Sequence, residues 1–110
     1  MLTIKKNDIT ITKGDTMPLH IDIMDGETAY EPIEGDACRF AISIGYVGEK
    51  GYTLILSKVV PLDKGDIVIT AEETGALKYM TYNYDVELVH ANGYVDTFIS
   101  GTLTVEGECK

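Results

Sequence analysis

The chain has 110 residues, 45% of them apolar, so it is long enough for one folded domain and too apolar to be disordered throughout. Nine basic residues stand against eighteen acidic ones, and the net charge of −9 argues against nucleic acid or an anionic membrane as the partner. The negative charge has two interpretations: it keeps the protein soluble, or it forms an acidic face that docks a basic partner.

The first part of the chain is predicted to form short strands separated by turns. Residues 2–5 and 9–12 form one bent strand or two short ones, and a turn follows at 13–15. Residues 17–23 alternate between apolar and polar side chains, which predicts a strand with one face on a core. Its inward side chains would be Leu19, Ile21 and Ile23, and its outward ones Pro18, His20 and Asp22. Pro18 cannot donate to a ladder, so it favours an edge position.

A second alternating strand is predicted over residues 37–44, after a loop at 27–35 that contains Pro32. Its inward face would carry Cys38, Phe40, Ile42 and Ile44, and its outward face Arg39 and Ser43. Three glycines in residues 45–51 then predict a flexible turn.

The middle of the chain is predicted to contain a strand at 52–60, a turn at 63–66 and a short strand at 67–70 with Ile67 and Ile69 inward. Leu54, Ile55 and Leu56 are consecutive, so either both faces of their strand are partly covered or a β-bulge shifts the register. Residues 71–78 are the one helix candidate. Because Gly75 interrupts them, we expect one helical turn at most.

The clearest pattern covers residues 81–105. Tyr82, Tyr84, Val86 and Leu88 alternate with polar residues, which predicts a strand with one face on a core. Asn92-Gly93 then favours a tight hairpin turn, and a last strand returns with Leu103 and Val105 inward. Gly101 interrupts its alternation and is predicted to form a bulge. Strands at this spacing indicate a single all-β domain over residues 1–110, either an antiparallel sandwich or a barrel.

The two cysteines, Cys38 and Cys109, do not make a disulfide framework. Cys38 lies in an apolar strand pattern, so we predict a buried free thiol. A bond from Cys38 to Cys109 is the less favoured alternative. No signal peptide and no segment of the ~20 residues needed to span a bilayer is predicted.

No metal or cofactor site is predicted. His20 and His90 are expected to be exposed, the first on a strand and the second beside a hairpin tip, and neither has a His or Cys at ligand spacing. Residues 22–27 come nearest to a calcium loop but lack its D-x-[DN]-x-[DN]-G pattern.

No catalytic residue is predicted either. The chain lacks G-x-S-x-G, and a buried Cys38 disfavours a Cys-His pair. Paired carboxylates for glycoside cleavage remain open, although a chain of this length leaves little room for a cleft. A carbohydrate platform would draw on Tyr46, Tyr52, Tyr79 and Tyr94, but ordinary strand packing also explains these tyrosines.

Tyr82 has a second interpretation besides a core tyrosine. It opens a strand after the turn-like Thr74-Gly75 segment, as a tyrosine corner does in Greek-key sandwiches. In such a corner the hydroxyl bonds to a nearby backbone group and holds the crossover in place.

The order of these signals resembles the N-terminal domain family of the baseplate upper protein of tailed phages that infect Gram-positive bacteria. The likeness covers about residues 9–105. The motifs that carry it are the Gly14-Asp15-Thr16 turn before residues 18–23, Gly35-Asp36 before the strand with Phe40 and Ile42, Lys58 at the close of the next strand, residues 65–69, the segment from Glu73-Thr74 through Leu77, residues 82–88 and residues 98–105.

The resemblance implies an immunoglobulin-like antiparallel β-sandwich of about seven to eight strands. It implies a non-enzymatic virion protein, made in the bacterial host cytoplasm, that forms part of a tail tip, baseplate or other appendage. Contacts with other virion proteins or with copies of itself would come from sheet edges and loop tips. The resemblance transfers no catalytic, metal or cofactor-binding residue.

Two other functions fit the residues. A bacterial immunoglobulin-like binding module would recognise carbohydrate or protein through a surface cluster of Tyr46, Tyr52 and Tyr94. A small hydrolase would need two Asp or Glu side chains converging in a cleft.

Overall fold

The computed structural model of the chain describes residues 2–5, 8–25, 28–45 and 48–107. In these residues the chain forms ten strands and one short helix, α1 (Ala71–Gly75). The strands are β1 (Leu2–Lys5), β2 (Asp8–Thr12), β3 (Met17–His20), β4 (Met24–Asp25), β5 (Thr28–Ala29), β6 (Ala37–Ile44), β7 (Thr53–Val60), β8 (Asp66–Ile69), β9 (Thr81–Val89) and β10 (Val95–Glu106). The count exceeds the expected seven to eight because β1 and β2 are separate strands and the two-residue β4 and β5 pair with each other. No helix in the described part is long and apolar enough to cross a membrane.

Six strands form one sheet in the order β1-β2-β10-β9-β6-β7, and β3 pairs with β8 in a second sheet of two strands. Apolar side chains from both sheets belong to one buried cluster. The sheets are therefore two layers that share a core, and the all-β prediction is confirmed in the form of a β-sandwich.

One pairing departs from the antiparallel expectation. β2 runs parallel to β10, with Leu103 opposite Ile9 and Val105 opposite Ile11. Parallel neighbours cannot be joined by a hairpin, and nearly the whole chain separates these two strands. The large sheet is consequently mixed, although its other pairings are antiparallel.

The core follows the predicted alternation of β9, whose Tyr82, Tyr84, Val86 and Leu88 are all buried. Phe40 lies in the middle of this core, with its ring centroid 5.6 Å from that of Tyr84. The buried cluster comprises Ile9, Ile11, Met17, Leu19, Ile21, Cys38, Phe40, Ile42, Val60, Ile67, Ile69, Leu77, Tyr82, Tyr84, Val86, Leu88, Leu103 and Val105. The inward positions predicted for β8, Ile67 and Ile69, are confirmed by this list.

Ile44 is a correction at the end of β6. It was expected on the core face but is 37% exposed. Ser43 lies opposite Asn83 on the face away from the core, as expected, although its side chain is buried. The pairing with β7 shifts by one residue between Ile42 and Ser43. The core face of β6 therefore ends at Ile42.

The two predicted bulges have different outcomes. In β7, Leu56 pairs with Ile42 and Leu54 pairs with Ser43, so Ile55 is the extra residue of a bulge, as one of the two alternatives stated. In β10, Gly101 pairs regularly with Tyr84 on the core side, and the prediction of a bulge there is wrong. The irregularity of β10 lies between Thr97 and Ile99 instead.

The strand predicted over residues 17–23 ends at His20. Its partner strand β8 begins at Asp66, directly after a turn in which the Gly65 N–H donates to the Pro61 carbonyl at 2.8 Å. The next residue, Ile21, donates its N–H to the Gly65 carbonyl at 2.8 Å and remains buried. The inward positions of Leu19 and Ile21 are confirmed even though the strand is shorter, and Ile23 packs against the core in part.

The helix α1 spans little more than one turn and is held by a capping box. Glu73 N–H donates to the Thr70 hydroxyl at 3.2 Å, and Thr70 N–H donates to the Glu73 carboxylate at 3.0 Å. Two orphan donors at the start of the helix are thereby satisfied. The fully buried Thr74 donates its hydroxyl to the Asp15 carbonyl at 2.7 Å, which ties the helix to the turn before β3.

Tyr82 forms the corner that was the second interpretation of this residue. Its hydroxyl accepts a hydrogen bond from the Lys78 N–H at 2.9 Å, four residues upstream. The ring is buried, so the same side chain anchors the start of β9 in the core and fixes the chain that leaves α1.

Cys38 is a buried free thiol, as predicted. Burial raises the pKa of the Cys38 thiol to about 11, so it stays protonated near neutral pH and acts as a small apolar group. Cys109, its alternative partner, lies outside the described residues.

Candidate functional site

The strand β7 forms one edge of the six-stranded sheet. Seven of its residues pair with β6, and it has no strand neighbour on its other side in the described part of the chain. An edge strand presents a row of backbone N–H and C=O groups that another strand can bond. This edge is the feature of the described surface best suited to contact another protein chain.

The side chains of β7 make the edge apolar as well. Val59 is 78% exposed, Leu54 48% and Ile55 39%. The bulge at Ile55 accounts for two of these, because it places consecutive apolar residues where neither reaches the core. Such an exposed apolar row on an edge strand is typical of sites where a partner strand adds.

The edge also lacks the charges that usually protect it. Lys58 is the one charged residue between Thr53 and Val60, and its Nζ lies 2.7 Å from Glu73 Oε1 on the helix. This ion pair, followed by the bond from Thr70 N–H, holds the pKa of the Glu73 carboxyl below its usual value. Natural edge strands often carry free charges or prolines that prevent another strand from pairing with them. β7 has neither protection, because its one lysine is paired with Glu73 and the strand contains no proline.

A carboxylate joins two loops where β6 begins and β9 ends. Asp36 accepts hydrogen bonds from the Tyr30 hydroxyl at 2.7 Å, from Ile33 N–H at 2.9 Å and from Ala91 N–H at 2.9 Å. The bond from Ile33 and then that from Tyr30 lower the pKa of Asp36. The loop before β6 and the β9–β10 turn are thus held as one surface.

His90 departs from the expected exposed position. It is half-buried, its ring stands edge-on to Tyr30 with centroids 5.8 Å apart, and Tyr94 packs on it with centroids 5.6 Å apart. The β9–β10 turn packs against the loop before β6. The alternation within one strand could not predict this contact, because the two segments are far apart in the sequence.

His20 is exposed, as predicted, but it is not isolated. Its Nδ1 lies 2.7 Å from Asp66 and its Nε2 lies 2.9 Å from Asp22. The hydrogen bonds to Asp66 and then to Asp22 raise the pKa of His20 above 6.5. No group of three metal-ligating side chains is found in the described residues, and the calcium candidate at 22–27 lies partly outside them.

The raised pKa of His20 predicts a pH dependence. Protonated His20 is favoured in the fold, so its stabilising effect is complete below pH 6.5 and disappears as the pH rises through the higher folded-state pKa. Between about pH 6 and pH 8 we expect wild type to lose more stability in urea denaturation than His20→Gln does. In an NMR titration, Asp66→Asn is expected to move the pKa of His20 downward. A wild-type pKa at or below the ordinary value would contradict the expectation.

The tyrosines do not form one platform. Tyr52 lies next to the β6–β7 turn, whereas Tyr94 lies beyond the far end of β6 in the β9–β10 turn. Tyr79 is also apart and carries the Lys13 ammonium 4.7 Å from its ring centroid. Tyr46 lies outside the described residues. A binding module that relies on a joint Tyr52 and Tyr94 surface is therefore disfavoured.

Two carboxylates, Asp22 and Asp63, line one hollow of about 220 Å³, together with His20. Asp22 is hydrogen-bonded to that histidine.

No family model and no curated protein matches the chain in comparisons with known proteins.

Proposed function

We propose that the chain is a non-enzymatic structural module of a phage or prophage virion, which assembles through protein–protein contacts. The proposal starts from the resemblance to the baseplate upper protein N-terminal domain family. It is supported by the architecture that the resemblance implies, a small β-sandwich, and by the absence of a catalytic motif in the sequence.

The proposal includes an immunoglobulin-like topology. In such sandwiches the last two strands pair with a central strand in one sheet, and a tyrosine corner lies near the start of the penultimate strand. Here β10, β9 and β6 are consecutive in the large sheet, β3 pairs with β8 in the other, and Tyr82 bonds to Lys78 at the start of β9.

The observation that carries the assembly function is the exposed β7 edge. Its open main-chain groups would bond to a strand of a neighbouring chain, and the exposed Val59, Leu54 and Ile55 would be buried in the contact. Main-chain bonds supply affinity in strand addition, and the side chains on either side supply specificity.

The test is the molar mass in solution, measured by light scattering over a range of concentrations. We expect a discrete oligomer, since virion appendages are built by rotational symmetry. Val59→Lys places a charge on the edge and is expected to weaken assembly by about tenfold or more. Val68→Lys is the matched control, because Val68 is also an exposed strand valine but lies on β8.

A partner other than a second copy is tested by co-expression with the proteins encoded by neighbouring genes. Co-purification that Val59→Lys abolishes and Val68→Lys preserves would support the proposal. A monomer at every concentration, with no co-purifying virion protein, would contradict it.

A further inference from the structure

A groove crosses the outer face of the large sheet, on the side away from the core. Its volume is about 400 Å³, within the range of sites that hold small ligands. The side chains that bear on its chemistry are Ser43, Tyr52, Asn83, Asp85, Ser100 and Thr102. The β7 edge described above is a separate feature of the same sheet.

The strand register assembles this groove from residues far apart in the sequence. Asn83 on β9 lies between Ser43 on β6 and Thr102 on β10, and Asp85 lies next to Ser100. Directly opposite residues share a face of the sheet, with Cβ atoms about 4.5–5.5 Å apart. The polar groups therefore form one patch, with two residues each from β9 and β10 and one residue, Ser43, from β6.

Two of these groups are already oriented. Asn83 Nδ2 donates to the Gly45 carbonyl at 3.0 Å, and the Thr102 hydroxyl donates to Asp8 at 2.9 Å. These bonds use one of the two Asn83 amide donors and the Thr102 hydroxyl donor, and both oxygens retain lone pairs that can accept hydrogen bonds from a ligand. Preorganised acceptors of this kind lower the cost of ordering a site on binding.

Asp85 is the unusual member of the patch. It is half-buried, and no hydrogen bond or ion pair reaches its carboxylate from the described residues. Burial and then the charge of Glu87 raise the pKa of Asp85. The nearby Arg39 forms its ion pair with Glu87, and its charge offsets only part of the upward shift in the pKa of Asp85. The carboxylate therefore costs stability when ionised, as functional groups often do.

The side chains that line the groove restrict the chemical class of the ligand. A carboxylate in a chain of net charge −9 disfavours an anion. A guanidinium would pair with the Asp85 carboxylate alone, whereas the amide and hydroxyl groups around Asp85 match a ligand that carries several hydroxyl groups. Hydroxyl donors suit these acceptors, and the partly exposed Tyr52 adds a ring face for an apolar contact.

We propose that this groove binds a neutral, hydroxyl-rich ligand of the short-saccharide class. Asp85 accepts hydrogen bonds from ligand hydroxyls, Asn83 and Thr102 position neighbouring hydroxyls, and Tyr52 packs against the ring. The site is independent of the virion assignment and of the β7 edge.

The test is an NMR titration of the labelled chain with maltotriose, cellotriose and N,N′,N″-triacetylchitotriose at millimolar concentration. We expect at least one of them to shift the amide signals of Asn83, Asp85 and Ser100. Asp85→Asn and Tyr52→Ala are each expected to weaken that binding by about tenfold. Asp96→Asn is the matched control, because Asp96 is an exposed β10 aspartate that does not line the groove.

Thermal denaturation supplies a second readout. Because the fold disfavours ionised Asp85, Asp85→Asn is expected to raise the midpoint at neutral pH and to have no effect at a pH low enough to protonate the carboxyl. A variant that is more stable and yet fails to bind would identify Asp85 as a binding residue. The proposal is overturned if no saccharide shifts the groove signals, if arginine or spermidine does so instead, or if Asp85→Asn binds like wild type. These outcomes concern ligand binding alone. The assembly proposal is tested separately, by the molar mass that light scattering measures.

Discussion

Phe40→Ala is expected to lower the free energy of unfolding by about 3–5 kcal/mol, because it removes a large buried side chain and leaves a cavity. Phe40 is 1% exposed, and its ring packs against that of Tyr84 between the two sheets. Few neighbours are free to collapse into the space, since β6 is held between β9 and β7. Folded domains have only about 5–15 kcal/mol of stability, so the loss is a large fraction of the total.

Urea denaturation measures this loss, and the thermal midpoint is expected to fall by more than about 10 °C. Ile33→Ala is the control: its side chain is 63% exposed in the loop before β6, and a change within about 0.5 kcal/mol is expected. If Phe40→Ala does not fold, Phe40→Leu keeps most of the apolar volume and is expected to lose about 1.5 kcal/mol. A loss below about 1 kcal/mol for Phe40→Ala would mean that the sheets do not share this core.

Gly65→Ala is expected to destabilise the chain by about 3 kcal/mol or more, although it adds a single methyl group. Gly65 has φ +71°, and a Cβ there would lie 2.2 Å from the Ile21 carbonyl oxygen. The same residue bonds to Ile21 N–H and to the Pro61 carbonyl, so the backbone cannot move away without breaking the junction between β3 and β8.

The matched control is Gly14→Ala. Gly14 also has a positive φ, +88°, but its added Cβ would meet nothing within 4 Å. We expect Gly14→Ala to lower the free energy of unfolding by about 1–2 kcal/mol, which is the cost of holding alanine in the left-handed conformation. The difference between the two variants in urea denaturation measures the close approach of the chain at Ile21. Equal losses would show that the two segments are not in contact.

The local pattern was sufficient where one strand and its neighbour in sequence decide the structure. The alternation of residues 81–88 predicted the buried face of β9, and Asn92-Gly93 predicted the turn into β10. The Tyr82 corner was one of two interpretations of that residue, and it could be considered from the sequence because such a corner joins groups only a few residues apart. The prediction of a bulge at Gly101 was wrong, because the sequence pattern does not reveal that Tyr84 lies opposite this glycine in a regular pair.

The two candidate sites were less accessible to sequence reasoning. The run Leu54-Ile55-Leu56 signalled a bulge or a doubly covered strand, but whether β7 is internal or at an edge depends on what pairs beyond it. The alternation of residues 81–88 places Asp85 on the face away from the core, but it could not show that the nearby Arg39 forms its ion pair with Glu87 instead of Asp85.

The all-β class, the positions of most strands and the buried face of β9 could be derived from the amino-acid sequence, because alternation with a period of two and turn residues are local signals. Three features required the folded structure: the parallel pairing of β2 with β10, the open edge at β7 and the groove around Asp85. Each of these joins residues that are distant along the chain. Their meeting depends on how whole strands are ordered in a sheet, and no local propensity encodes that order.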